Sequence, residues 1–386
     1  MKFSLGFALL IQGSLALALA ARQQQITSQE IQEKTSQGLR LLSLSETTAP
    51  VWKTEDEKLE LLRKHTRFFD VTEVYDPQEA LVVENQGGKN LKSLVSYPKP
   101  SHQSQVLPLI QTASLSEMQG YLANLTAFNN RYYKATTGQQ ASTWIRDTVA
   151  GIIAQYPTSG ASVQLFTHTW VQSSIIATIP GTSATTPITI LGGHMDSINL
   201  SNPTSGRAPG ADDDGSGAVN LLEAFRVLLA GGFKPSTPVE FHWYSGEEGG
   251  LLGSQAIAKS YNSKGAKVKA MLQFDMTAYV KPGTKAVAGL MPDYTDSGLT
   301  TFVSSLIEAY TKLAWVINDP CGYACSDHAS WNKYGYPTAL PFESLFNNDN
   351  PQIHSSGDTI SVAGFNWTHT FEFAKLATAF AYELGA

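Results

Sequence analysis

Two spacings of apolar residues alternate along most of this chain. Short runs rich in β-branched and aromatic residues occur at Val171 to Ile179, Ile188 to Leu191, Val239 to Tyr244, Met271 to Phe274 and Pro337 to Leu340, the composition of strands. Between them, Ala218 to Ala230, Ser254 to Tyr261, Leu299 to Leu313 and Phe371 to Tyr382 carry apolar residues at helical spacing. This alternation predicts an α/β fold, a three-layer sandwich around a mostly parallel central sheet. In such sheets ligands bind beyond the carboxyl ends of the strands.

The front of the chain has a different pattern. Lys2 followed by the apolar run Phe3 to Ala20, with small residues at Ala18 and Ala20, is the layout of a cleaved secretory signal, and no other run is long enough to span a bilayer. A secreted, extracellular protein with no membrane anchor is the expectation. Residues 21–90 hold 21 charged residues in 70, against 38 in the 296 that follow, so a boundary is expected near Asn90. Within this stretch Thr54 and Glu57 form a helix-capping signal ahead of Leu59, Leu61, Leu62, Phe68 and Phe69, a half-apolar helix that needs a partner surface. The polar, glycine-containing stretch Gln86 to Ser93 suits a cleavable linker. Residues 21–90 thus read as a pro-segment packed on a main domain of residues 91–386. A permanent N-terminal subdomain is the alternative.

A net charge of -6 provides no basic excess for nucleic acid. What the body does concentrate is acid at strand ends. His194 and Asp196 follow one strand, Asp212, Asp213 and Asp214 open a helix, Glu247 and Glu248 follow the next strand, and Asp275 follows a third. Seven of the body's 21 acidic residues lie in these few loops, and His354 and Asp358 come late in the chain. Crowded carboxylates raise one another's pKa unless a cation sits among them. His and carboxylate together suit zinc, and this many donors suit a pair of metals sharing one carboxylate. Asp196 is placed to hold the free nitrogen of His194. His168, His242, His328 and His369 read as structural histidines.

The motifs GGHMDS, PGADDDGSG, SGEEGGLLGS, FDMTAY, PCGYACSDHASW, YPTALPFES and IHSSGDT, in this order, resemble those of the secreted two-zinc leucine aminopeptidases of fungi and bacteria. The resemblance runs from about Tyr97 to the C-terminus. It implies a catalytic domain holding two zinc ions, with Asp213 bridging them, His194 and Asp275 on one and Glu248 and His354 on the other. It further implies a cis bond between Asp213 and Asp214, Glu247 as general base and Tyr323 as donor to the oxyanion. Met276, Leu340, Phe342, Phe346 and Ile353, with Cys321, Tyr323 and Cys325, would line a pocket for leucine and other large apolar residues at the N-terminus of a peptide. The implied protein is a monomer acting on peptides with a free N-terminus.

Cys321 and Cys325 are the only cysteines, and in a secreted chain their spacing favours a disulfide over a two-cysteine zinc site. Glycosylation sequons stand at Asn124, Asn199 and Asn366. No G-x-S-x-G, H-E-x-x-H or G-x-G-x-x-G occurs, which argues against a serine hydrolase, a one-zinc protease and a dinucleotide enzyme. Two-zinc carboxypeptidases and acyl-amino-acid hydrolases are the remaining alternative. They clamp a substrate carboxylate with arginine, so the positions of Arg131, Arg146, Arg207 and Arg226 discriminate.

Overall fold

The charged front segment builds its own small layer. The computed structural model describes residues 26–77, 96–183, 187–322 and 324–386, so the signal segment (residues 1–20) and the expected boundary at Asn90 lie outside the described residues. Helix α1 (Ser28–Ser36), strands β1 (Leu39–Ser43) and β2 (Val51–Thr54), helix α2 (Glu55–Arg63) and strand β3 (Phe69–Asp70) come first. The three strands form an antiparallel sheet in the order β2-β1-β3. α2 starts where the capping signal predicts: Thr54 accepts from the Glu57 amide and Glu57 reaches back to the Thr54 amide. The buried residue of α2 is Lys58, whose ammonium lies 2.8 Å from the Asp70 carboxylate, with Arg40 also 2.8 Å from it.

The body follows. Helices α3 (Gln103–Ile110), α4 (Leu115–Ala127) and α5 (Thr136–Gln155) lead into strands β4 (Ser162–Phe166), β5 (Ser174–Ile179) and β6 (Ile188–His194). Then come α6 (Gly215–Ala230), β7 (Val239–Tyr244), α7 (Leu252–Ser263), β8 (Val268–Gln273), β9 (Val287–Leu290), α8 (Ser297–Tyr310), β10 (Ala314–Ile317), α9 (His328–Asn332), β11 (Thr338–Ala339), β12 (Pro341–Phe342) and α10 (Trp367–Gly385). The main sheet has the order β11-β8-β6-β7-β5-β4, parallel from β11 through β7 and antiparallel at β5 and β4.

Side chains alternate across this sheet, as the period of two requires. Ile175, Leu191, Trp243 and Leu272 face one way and pack with Leu122 of α4, Ile145 of α5, Phe225 of α6, Leu306 of α8 and Phe380 of α10. Their neighbours Ile176, Ile190, Tyr244 and Met271 face the other way, onto Ile257 of α7 and Trp331 of α9. These two apolar clusters make the three layers expected from the alternation. Helices α3 to α5, the strands of the front segment, and a side sheet of β10, β9 and β12 are additions that the sequence reading did not resolve.

The front segment docks at the strand-end side of the body. Leu41, Phe69, Val71 and Val74 pack against Leu251, Ala324 and Ala329, and the Asp70 amide donates to the Gly250 carbonyl at 3.0 Å. Gly250 (φ +100) is required here, because a Cβ would meet the Asp70 backbone and the Phe68 ring at 2.9 Å.

Candidate metal centre

Three adjacent parallel strands end at one edge of the sheet, and each end delivers a donor. β6 finishes on His194, β7 runs into Glu247 and Glu248, and β8 into Asp275. The loop before α6 brings Asp213, and the loop before α10 brings His354. His194 Nε2 lies 3.1 Å from Asp213 Oδ1 and 3.6 Å from Asp275 Oδ1. His354 Nε2 lies 3.1 Å from both Asp213 Oδ2 and Glu248 Oε2. Two donor triads result, His194/Asp213/Asp275 and Asp213/Glu248/His354, with donor atoms within 4.8 Å of one another in each. The two oxygens of Asp213 point to different triads. Two imidazoles and three carboxylates in this arrangement fit a pair of divalent ions.

Electrostatics at the edge reflect the crowding. Burial opposes charge on His194 and His354, but the surrounding carboxylates, Asp275 for His194 and Glu248 for His354, hold both well above the usual imidazole range. Burial would also push Asp213 up; the two imidazoles instead hold it well below the carboxylate range. Glu247, which belongs to neither triad, is pushed well up by burial, with Asp275, Asp327 and Glu248 adding to it.

The three consecutive aspartates take three directions. Asp212 accepts from the Ala278 amide at 3.0 Å, facing away from the triads. Asp214 caps α6 through the Gly217 amide at 2.9 Å and also accepts from the His194 and Met276 amides at 3.0 and 3.2 Å. Gly217 is the residue that fits there, since a Cβ would lie 2.4 Å from the Asp214 carboxylate. The Asp213–Asp214 peptide bond is cis.

Two further carboxylates fasten donor-bearing loops. Asp196 accepts from the Glu247 and Glu248 amides at 3.0 and 3.2 Å; its Oδ1 is 3.6 Å from His194 Nδ1, which lies closer, at 3.2 Å, to its backbone carbonyl. Asp358 accepts from the Asp212 and Asp213 amides at 3.1 and 3.0 Å and from Asn350 Nδ2 at 3.0 Å, tying the His354 loop to the Asp213 loop. Arg131 lies fully buried below. Its guanidinium donates to the carbonyls of Met195, Pro209 and Gly210, just ahead of Asp196 and the aspartate triplet. Asp358 and Arg131 were given no such role from sequence. Ser326, whose hydroxyl donates to Asp275, was also missed, although it sits inside a recognised motif.

Met276, Leu340 and Phe342 form a buried apolar cluster with Phe346, Ile353, Cys321 and Cys325 packed on it. Met291 joins them at 2 % exposure. It directly follows β9, a strand not read from the sequence, so no strand-end signal marked this position. Met276 and His354 adopt left-handed backbone, φ 58 and 57, which is uncommon for non-glycine residues. Cys321 and Cys325 are joined as a disulfide, so they offer no two-cysteine metal site. Tyr323 lies outside the described residues.

None of the four arginines that would favour a carboxypeptidase faces the triads. Arg131 serves backbone carbonyls, Arg146 pairs with Asp147, Arg207 holds the carbonyls of Thr126 and Phe128, and Arg226 pairs with Glu223. His168, His242, His328 and His369 bond Ser174, Glu240, the Asp293 carbonyl and the Glu343 carbonyl, away from the triads. Asn124 is exposed on α4, Asn366 caps α10, and Asn199 donates its amide to the Arg207 carbonyl.

The profile of peptidase family M28 matches residues 174–381. The chain belongs to peptidase family M28. Leucine aminopeptidase 1 of Coccidioides posadasii is 44% identical over 347 residues, covering 86% of each chain, and that of Phaeosphaeria nodorum 45% over 342 residues, covering 86% of this chain and 85% of its own. Among solved structures, the LapA aminopeptidase of Legionella pneumophila superposes with a TM-score of 0.77 at 29% identity, covering 90% of this chain and 93% of its own. LapB of the same organism gives 0.79 at 28%, covering 92% and 97%. This M28 chain is therefore an aminopeptidase, a metallopeptidase that hydrolyses peptide bonds.

Proposed function

We propose that this chain is the secreted precursor of a two-zinc aminopeptidase that removes leucine and other large apolar residues from the free N-terminus of peptides. The observation that carries the reading is the pair of donor triads sharing Asp213, with Glu247 beside them and outside both. His194, Asp213 and Asp275 would hold one zinc, and Asp213, Glu248 and His354 the other. When bound, such a pair polarises the scissile carbonyl and makes water a stronger acid.

Glu247 supplies the base. Its carboxyl is buried and pushed up toward the range where it can both take and return a proton, so it accepts one from the attacking water and gives it to the leaving amine. Asp196 fixes that carboxylate by holding the Glu247 amide. Tyr323 is assigned the oxyanion by family resemblance. The Met276, Met291, Leu340 and Phe342 cluster receives the first side chain.

The front segment acts as a pro-segment. Leu62, Arg67 and Phe68 close over Glu247, Glu248 and His354, leaving room for little more than a water molecule. Cleavage within residues 86–93 would release it. The mature protein is read as a monomer, with Asn124 and Asn366 the sequons best placed for glycans.

The test uses the full chain, cut in residues 86–93, freed of its segment and stripped by chelator. Leucinamide and N-acetyl-leucinamide are offered as zinc is returned. Cleavage of leucinamide alone, levelling at two zinc ions per chain, is expected. Equal cleavage of both, or indifference to zinc, overturns the reading.

A further inference from the structure

Beside Glu247, Glu248 and His354 the front segment covers a second surface: Leu62, Arg67 and Phe68 line one small cavity together with those three residues and with Gly250, Leu251 and Ala324. That surface is apolar. Leu251 and Ala324 are 2 and 3 % exposed under the segment, and the Phe68 ring lies over Gly250. The disulfide loop separates the two seats, since Cys325 packs with the first-residue cluster and its neighbour Ala324 packs with the segment. The segment also makes a main-chain hydrogen bond there, the Asp70 amide donating to the Gly250 carbonyl, and Phe68 itself is only 3 % exposed.

We propose that Gly250, Leu251 and Ala324 form the seat for the second residue of the substrate and that this seat takes a large apolar or aromatic side chain, the place Phe68 holds in the precursor. The assignment rests on the aminopeptidase reading. It gives the enzyme a second point of selection, independent of the first-residue cluster, and gives the segment a way to block the site by occupying a substrate position.

The experiment measures kcat/KM of the cut and cleared chain on leucinamide, Leu-Gly-amide and Leu-Phe-amide. Leu-Phe-amide should exceed Leu-Gly-amide by about tenfold to a hundredfold, the range an apolar pocket supplies. Leu251→Asn, a residue tolerated at φ +60, should shrink that ratio toward one and cost Leu-Phe-amide more than leucinamide. Ala324→Asn, also at positive φ, provides the same reading should the first variant fail to fold. Equal rates on Leu-Gly-amide and Leu-Phe-amide in the unaltered chain overturn the proposal, as do variants that slow all three substrates by one factor. Inertness of the unaltered chain toward leucinamide overturns the aminopeptidase reading itself, and the seat with it.

Discussion

Replacing Asp70 by Asn in the uncut chain should release the front segment. The Asp70 carboxylate is fully buried and accepts from Lys58 Nζ and Arg40 Nε at 2.8 Å each and from the Thr72 hydroxyl at 2.6 Å. Burial alone would push its carboxyl up, but Lys58 and Arg40 hold it at about 2, against 3.8 when free. A depression of nearly two units corresponds to about 2 kcal/mol of stabilisation. Asparagine removes that contribution. It also leaves the Lys58 ammonium, 2 % exposed, without its hydrogen-bonded carboxylate and with only the through-space attraction of Glu55, which moves the cost toward the ~3–5 kcal/mol of a broken buried pair. A layer this small has little apolar burial with which to offset such a loss. The uncut variant should therefore cleave leucinamide at least about tenfold faster than the uncut parent, tenfold being about 1.4 kcal/mol. Its Leu41 and Val71 amides should also lose protection from hydrogen exchange. The acid dependence has a defined sign. Since the folded pKa is depressed, the stabilisation is complete above about pH 4 and fades as pH falls toward 2. The parent should show that acid step in segment protection and the variant should not. A variant as inactive and as protected as the parent at pH 6 would refute the reasoning and mean that the apolar contacts with Leu251 and Ala329 hold the segment unaided.

Other substitutions separate the roles at the centre, each read by metal content together with rate. Glu247→Gln should keep two metals per chain and lose about 10²- to 10⁴-fold in kcat, the usual contribution of a general base; loss of metal alongside activity would show it to be a ligand. Asp213→Asn should abolish binding of both ions, and retention of a full pair by plasma emission analysis contradicts the shared position. Asp358→Asn should weaken metal affinity by about 10- to 100-fold in a chelator competition, as changes behind metal ligands do, with a smaller effect on melting temperature. An unchanged chelator titration would reduce Asp358 to a loop fastener.

Much of this molecule was legible where one physical signal dominated. β7 begins and ends where the predicted run Val239 to Tyr244 does, and α2 begins at its capping box. The acids at strand ends were conspicuous because apolar strands precede them. Other elements gave weaker signals. α5 starts with the polar stretch Thr136-Thr137-Gly138-Gln139-Gln140 and shows its apolar face only later, at Ile145, Val149 and Ile152. β12 is two residues long, too short for any periodicity, and β11, also two, was legible only within the longer run Pro337 to Leu340. The roles of Asp358 and Arg131 were illegible for another reason. Their partners are backbone amides and carbonyls, which every residue carries, so no sequence pattern names them.

Those backbone partners offset part of the cost of crowding carboxylates at the edge, while burial still pushes Asp212, Asp214 and Asp358 up, Asp358 to about 8. A run of three aspartates is costly if all three share one space, because each raises the others' pKa. Here the run opens in three directions, and each carboxylate that is not a donor meets amide hydrogens instead: Asp212 at Ala278, Asp214 at His194, Gly217 and Met276. Asp196 does the same for Glu247 and Glu248, and Asp358 for Asp212 and Asp213. Each such bond also fixes the backbone beside a donor. The buried Arg131 completes the arrangement from below by drawing in the carbonyls of Met195, Pro209 and Gly210. Buried charge satisfied in this way becomes geometry, since a carboxylate that must reach two specified amides leaves the loops carrying them little freedom to move apart. Asp213 and His354 come from separate loops, and the Asp358 carboxylate, binding the Asp213 amide while lying four residues after His354, makes their 3.1 Å approach a property of the fold.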